Sequence, residues 1–247
     1  MTDDARRFPQ VFWGLVAVAA GLVAAGAVVA GAVADLRRAR DVVAVTGSSR
    51  QPIRADYGVW RGEVSATATA LPDAFRQLSS QVEAVRAFLR EAGVPDSAVG
   101  VLALQTSAYQ EQLPGGSWTG RILGHRASRV VEVRSADVDA IAALGSRAEA
   151  LVARGIALQP YPPEYLYTKL AERRMDLLGE ATRDAQRRAE VIAASAGRRV
   201  GAIREARMGV IQVTRRNSTE VADYGMYDTS TIEKDVTAVV RVSFAIE

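Results

Sequence analysis

Between Val11 and Ala34 the chain reads VFWGLVAVAAGLVAAGAVVAGAVA, without one charged or amide side chain. Bilayer hydrocarbon is crossed by about 20 helical residues, whereas the apolar stretch of a cleaved signal peptide usually runs to about 7 to 15. The run therefore predicts an uncleaved transmembrane anchor, with the lipid bilayer as the partner of residues 11–34. A buried helix of a soluble protein would carry polar residues at helical spacing, and this run has none. Small residues at Gly14, Ala17, Gly21 and Ala25 would let another helix approach closely. Ala32-Val33-Ala34 also has the small-x-small pattern of a signal-peptidase site, so a cut before Asp35 is the competing outcome. Arg6 and Arg7 lie on one side, offset by Asp3 and Asp4, with Arg37, Arg38 and Arg40 on the other. These flanks do not orient the span. A single N-terminal span before one large domain is the usual layout of an exported, anchored protein. The expectation is a single-pass protein of the inner or cytoplasmic membrane whose soluble domain is extracytoplasmic, periplasmic where the cell has an outer membrane.

This divides the 247 residues into a tail (1–10), an anchor (11–34), a linker (35–41) and a soluble domain (42–247). The soluble part is long enough for one substantial domain or two small ones. Two strands are expected in VVAVTGSSRQPIRADYGVWRGEVSATATA, with a turn at Gly47 to Pro52. Leu71, Phe75, Leu78, Val82, Val85 and Leu89 then recur at helical spacing up to Gly93. AVGVLALQTSAYQ and HRASRVVEVRS read as strands around a hairpin tip, EQLPGGSWTG. A second helix is expected after Ser135, read as its N-cap, along Val138, Ile141, Leu144, Ala148 and Leu151 to Gly155. Asp137 and Asp139 fit the helix dipole better than a metal site. After the short strand in IALQP, Leu166, Leu170, Leu177, Ala181, Ala185 and Ile192 line a third helix ending at Gly197. Its other face mixes arginines and acids at i, i+3 and i, i+4, the pattern of a solvated surface. GAIREARMGVIQVTRR reads as one strand. In the last one Val236, Ala238, Val240, Val242, Phe244 and Ile246 share a face. The order ββαββαβαββ after the anchor predicts an α+β fold, antiparallel sheet covered by helices.

With no cysteine and one histidine, His125, thiolate sites are excluded and histidine-rich metal sites are removed, so no metal or cofactor is expected. A net charge of +3 with arginines interspersed among acids does not make a nucleic-acid footprint. The chemistry-rich stretch is YGMYDTSTIEKDV, residues 224–236, where Asp228, Ser230, Thr231, Glu233 and Lys234 sit together. Thr231 and Lys234 only approximate a Ser-x-x-Lys nucleophile, which rests on a helix, and this stretch leads into a strand. The bland alternative is a long loop in which Asp223, Asp228 and Ser230 make local turn bonds. No catalytic residue is assigned.

Several stretches, in order, carry a resemblance: VTGSS (45–49) with Asp56 and Trp60, FLREAGV, VVEVRSADVD (130–139), LVARGI, PEYLYTKL, EATRDAQRRAEVIAASAG and DYGMYDTSTIEKDVTAVVRVSF. Together they resemble the SIMPL domain family over about Val42 to Glu247. The resemblance implies a bacterial envelope protein of α+β fold and largely undefined activity, loosely tied to stress tolerance. Some members, such as the periplasmic immunogenic protein, look like builders of hollow ring-like oligomers. The expected function is a non-enzymatic component that self-associates as a homo-oligomer or scaffolds an envelope protein partner. Trp118, Tyr224, Tyr227 and Asp228 are its candidate interface residues, with Tyr161, Tyr165 and Tyr167 as further aromatic contact points or packed side chains. Two other classes stay open. One is a hydrolase using Asp56, Asp228 and His125; the other is an envelope ligand-binding protein whose arginines attract anions. An enzyme should show a pocket with convergent titratable groups, a scaffold a large apolar contact face.

Overall fold

The computed structural model describes residues 7–38, 41–220, 222 and 224–247, with side chains described for 12–30 and from 41 onward. The tail acids Asp3 and Asp4, Arg6, Arg40 of the linker and the turn bond expected of Asp223 lie outside the described residues. The fold is α+β, an N-terminal apolar helix followed by antiparallel sheets and helices. Helix α1, Arg7–Arg38, contains the window Phe12–Ala30 with a mean hydropathy of 2.2 and no buried side chain. It is the one helix among the described residues long and apolar enough to cross a membrane. The chain divides into two compact units, one from Met1–Ser49, Leu178–Gly209 and Val239–Glu247, the other from Arg50–Leu177 and Val210–Ala238.

In the second unit, β2 (Tyr57–Ala68) and the long β5 (Trp118–Ser135) pair antiparallel from Gly58↔Ser135 to Ala68↔His125. On its free side β2 takes the short β6 (Leu158–Pro160) and β7 (Glu164–Leu166). β5 takes β3 (Val99–Val101) and β4 (Gln105–Gln112). Period-two alternation turns Trp60, Val64, Ala127, Val131 and Val133 inward against α2 (Leu71–Glu91), α3 (Val138–Arg147) and α4 (Glu149–Ala153). In α2 the buried stripe is Ala74, Leu78, Val82, Val85 and Leu89, while Leu71 and Phe75 stay exposed. The N-cap of α3 is Asp137, whose carboxylate accepts from Ala140 N at 2.9 Å. Ser135, read as that cap, instead accepts from the backbone N of Asp137.

The first unit holds β8 (Val200–Met208), β1 (Val42–Arg54) as far as Ser49 and β10 (Glu233–Ile246) from Val239, and these strands neighbour one another in the order β1, β10, β8. The remaining helix, α5 (Leu170–Ser195), brings Ala181, Ala185 and Ala189 onto Val43, Val45, Val240, Val242 and Phe244. Leu166, expected on this helix, lies in β7, and Ile192 is exposed. Alanines at i, i+4 spacing let the helix lie close. A Cβ at Gly47 would run into the backbone of Ala181 and Ala185. This corrects the turn expected at Gly47 to Pro52: β1 runs straight through it, alternating buried and exposed residues, and the strand breaks only at Ala55-Asp56. Glycine is there for clearance, and Pro52 is tolerated because β1 ends the strand order. GAIREARMGVIQVTRR is two strands, β8 and β9 (Gln212–Arg215), broken at Gly209 to Ile211. On β10 the apolar face appears as expected, with Val236 through Phe244 buried at alternate positions.

Candidate functional site

The loop that leads into β10 is stitched to its own unit along its length. Val213 N donates to Met226 O at 2.7 Å and Asp228 N to Val213 O at 2.8 Å. Tyr165 N donates to Thr229 O at 2.7 Å, and Ala55 N to Ile232 O at 2.9 Å. The Tyr227 hydroxyl accepts from Tyr167 N and donates to Tyr167 O, both at 2.8 Å. Lys234 shares the parity of Val236, so its side chain points to the interior and is fully buried. There its amine donates to Asp228 O at 2.6 Å and Asp228 Oδ2 at 2.9 Å.

Asp228 closes the knot. Its Oδ1 accepts from Ser230 N at 3.0 Å and Ser230 Oγ at 2.6 Å, and its Oδ2 accepts from the Thr231 hydroxyl and backbone N. Burial pushes this carboxyl up, but hydrogen bonds from Ser230, Thr231 and Lys234 outweigh it and hold Asp228 far below the usual carboxylate range. Each oxygen is already occupied, and the lysine amine faces two acceptors. Neither group is placed to take a proton from a substrate, and Thr231 and Lys234 meet at Asp228. Of the interface candidates, Asp228 is thus turned inward, Tyr227 has its hydroxyl tied down, and Tyr224 is 99% exposed.

The hydrolase candidates have separate partners. Asp56 accepts from Thr168 N at 2.8 Å and Thr168 Oγ1 at 3.0 Å, Asp228 holds Lys234, and His125 lies on β5 between Ala68 and Ala108. No cluster of three acids or histidines suited to a metal ion occurs among the described residues. On the open face of the same sheet Glu132 is bracketed by Arg61 at 2.7 Å and Arg134 at 2.6 Å. Burial raises its carboxyl, and the two guanidiniums more than offset this. A cavity of about 460 Å³ opens between the end of α2 and α3, with Val133, Ile141 and Leu144 in its wall and Asp137 and Arg147 as its titratable residues. Asp137 is already spent on the cap of α3.

Trp118 stands elsewhere. Past the Ala68↔His125 pair β5 has β4 as its only strand partner among the described residues, through Tyr109↔Gly124, Gln110↔Ile122 and Gln112↔Trp118. The result is a two-stranded arm closed by a turn at Leu113 to Ser117. Of the tip expected over 111–120, residues 111–112 and 118–120 are strand. Both faces of the arm are exposed, and they carry Tyr109, Leu113, Trp118, Ile122 and Leu123. Tyr109 leans over Gly124, where any side chain would strike its ring. Arg121 pairs with Glu111 across the strands.

An N-terminal helix long and apolar enough to cross a membrane, two helix-covered antiparallel sheets and a loop locked by an acid-lysine pair define this α+β chain. The family model for SIMPL, described as a protein of unknown function (DUF541), matches residues 43–244, and the chain belongs to that family. A search of curated proteins finds no match.

Proposed function

We propose that the chain is a membrane-anchored, extracytoplasmic component of the bacterial envelope that works without catalysis, self-associating or gathering envelope partners through the β4–β5 arm, with a role in stress tolerance. One observation carries this reading: the arm exposes large apolar side chains on both faces and pairs with no third strand among the described residues. A two-stranded hairpin is marginal alone in water. Trp118 and Tyr109 supply the aromatic anchors that contact surfaces favour. Light scattering on the full chain in mild detergent tests it: a discrete oligomer that falls to monomer in a Trp118→Ser, Ile122→Ser double variant supports the reading. A monomer at every concentration, with no envelope protein retained, defeats it.

Ligand binding is supported by the cavity beside α3, whose volume lies in the range of small-molecule sites and whose wall is mostly apolar. Filling it with Ala140→Phe would abolish ligand binding while leaving the oligomer intact.

A further inference from the structure

The anchor and the first unit are joined at one corner. From Ala34, the end of the apolar run, α1 continues to Arg38, a rise of about 6 Å, and three further residues at most about 11 Å long bring the chain to Asp41. Asp41 is pinned to the sheet, its carbonyl accepting from Ile246 N at 3.0 Å. On the other side of β10, Glu247 and Arg199 exchange both backbone hydrogen bonds at 2.8 Å. Arg199 therefore lies two strand spacings from Asp41, about 10 Å. Covalent reach alone holds it within about 27 Å of the end of the apolar run, and less wherever the chain is not fully extended.

Arg198 and Arg199 are exposed at this corner, after the turn at Gly197 (φ 68°) that links the end of α5 at Ser195 to the start of β8 at Val200. Neither side chain has an acid partner among the described residues, whereas Arg187 and Arg188, earlier on α5, share Asp184. Behind them a groove of about 530 Å³ runs between α5 and β8 over Ala194, Val200, Ile203 and Phe244. Its acid, Glu190, accepts from Gln186 at 2.9 Å. Glu247 bears against Gly201 nearby, and the adjoining sequence holds Arg37, Arg38 and Arg40 against Asp35 and Asp41.

We propose that Arg198 and Arg199, with this groove behind them, bind the phosphate of anionic phospholipid headgroups in the leaflet from which α1 emerges. The proposal rests on the anchored reading above. Continuity with the span keeps the surface within reach of the bilayer, and two exposed guanidiniums with no ion pair among the described residues suit a phosphate oxyanion. Docking this corner would restrict the swing of the first unit on its short tether.

The chain has no cysteine, so Ala196→Cys, exposed just before the two arginines, gives a single labelling site. Ser48→Cys, seven residues along β1 from Asp41 and about 23 Å away, is the control. The full chain is placed in vesicles of phosphatidylcholine with or without phosphatidylglycerol, and each fluorophore is read against a headgroup-level nitroxide lipid. Expected is quenching at position 196 that needs phosphatidylglycerol, weakens in high salt and exceeds that at position 48. Each of Arg198→Gln and Arg199→Gln should lower the docked-to-free ratio about fivefold. Equal quenching in neutral and anionic vesicles, equal quenching at both positions, or quenching unchanged in the double variant overturns the proposal. A chain that floats with vesicles yet shows no quenching at 196 defeats the headgroup site and leaves the anchor standing. A chain that salt or alkali strips from vesicles defeats the anchor as well.

Discussion

The loop before β10 and the β4–β5 arm both hold exposed aromatics and turn residues, yet one is bonded to its own unit at nearly every step and the other is bonded to itself. Tyr227, Asp228, Thr229 and Ile232 each engage a residue distant in sequence. Past His125, the arm's backbone bonds run between its own two strands. Polar chemistry is therefore a poor guide to where a protein meets others. The charged Asp228 and Lys234 satisfy one another, whereas the apolar Trp118 and Ile122 remain without cover.

Breaking the buried pair should produce the largest effect. Asp228→Ala leaves the Lys234 ammonium in the interior with only the residue-228 carbonyl, and losing one partner of such a pair costs about 3–5 kcal/mol. Urea unfolding should show this loss, and adding Lys234→Met should recover much of it. A single variant as stable as the parent would mean that the pair is not desolvated. Next comes Tyr227→Phe, which removes two hydrogen bonds to Tyr167 and strands its N–H, for about 2 kcal/mol. If thermal unfolding of that variant is unchanged, the loop is not held as described.

Acid should separate the two regions more gently. The Asp228 carboxyl sits far below its ordinary value when folded, so its stabilisation is present above about pH 4 and is lost as pH falls towards the folded value. Between pH 5 and pH 3 the unfolded chain takes up the proton and the folded chain does not, which removes about 1 kcal/mol. Asp228→Asn should flatten that part of the stability curve. In the arm, Glu111 and Arg121 form a surface pair, and Glu111→Gln should leave the same curve unchanged.

How legible this contrast was in the sequence depends on whether a side chain has a face to report. Period-two alternation identified the core of β10 because every second residue is buried, and the same parity put Lys234 on the apolar face. A lysine there signals a buried partner, but which acid curls back to meet it depends on a loop path that no spacing encodes. Gly47 was read as a turn because glycine, serine and proline cluster around it. Its actual reason is the approach of α5, from more than a hundred residues away. The full length of the arm is hidden for the opposite cause. QTSAYQ reads as strand, but with neither face of the arm buried no alternation carries that strand through Glu111 and Gln112 or starts the next one at Trp118, so those ends look like loop. The available signal was Trp118, Ile122 and Leu123 gathered beside a Pro-Gly-Gly turn.

The smallest effect on folding should come from the arm and is the most telling. Trp118 is 63% exposed and opposite Gln112 at the far end of a ribbon that covers no core. Trp118→Ser should thus change unfolding free energy by no more than about 0.5 kcal/mol, as for surface positions away from caps, cores and pairs. If the arm meets a second copy or an envelope partner, the same substitution removes a large aromatic anchor, and assembly should weaken by about tenfold or more. Measured together, unfolding free energy and solution mass give a two-by-two test with Asp228→Ala. The Asp228 variant should lose stability and, at temperatures where it stays folded, keep its mass; the Trp118 variant should keep stability and lose mass. Were Trp118→Ser to destabilise the monomer by several kcal/mol, the arm would be packed against its own chain, and the division between a region that satisfies itself and one that awaits a partner would collapse.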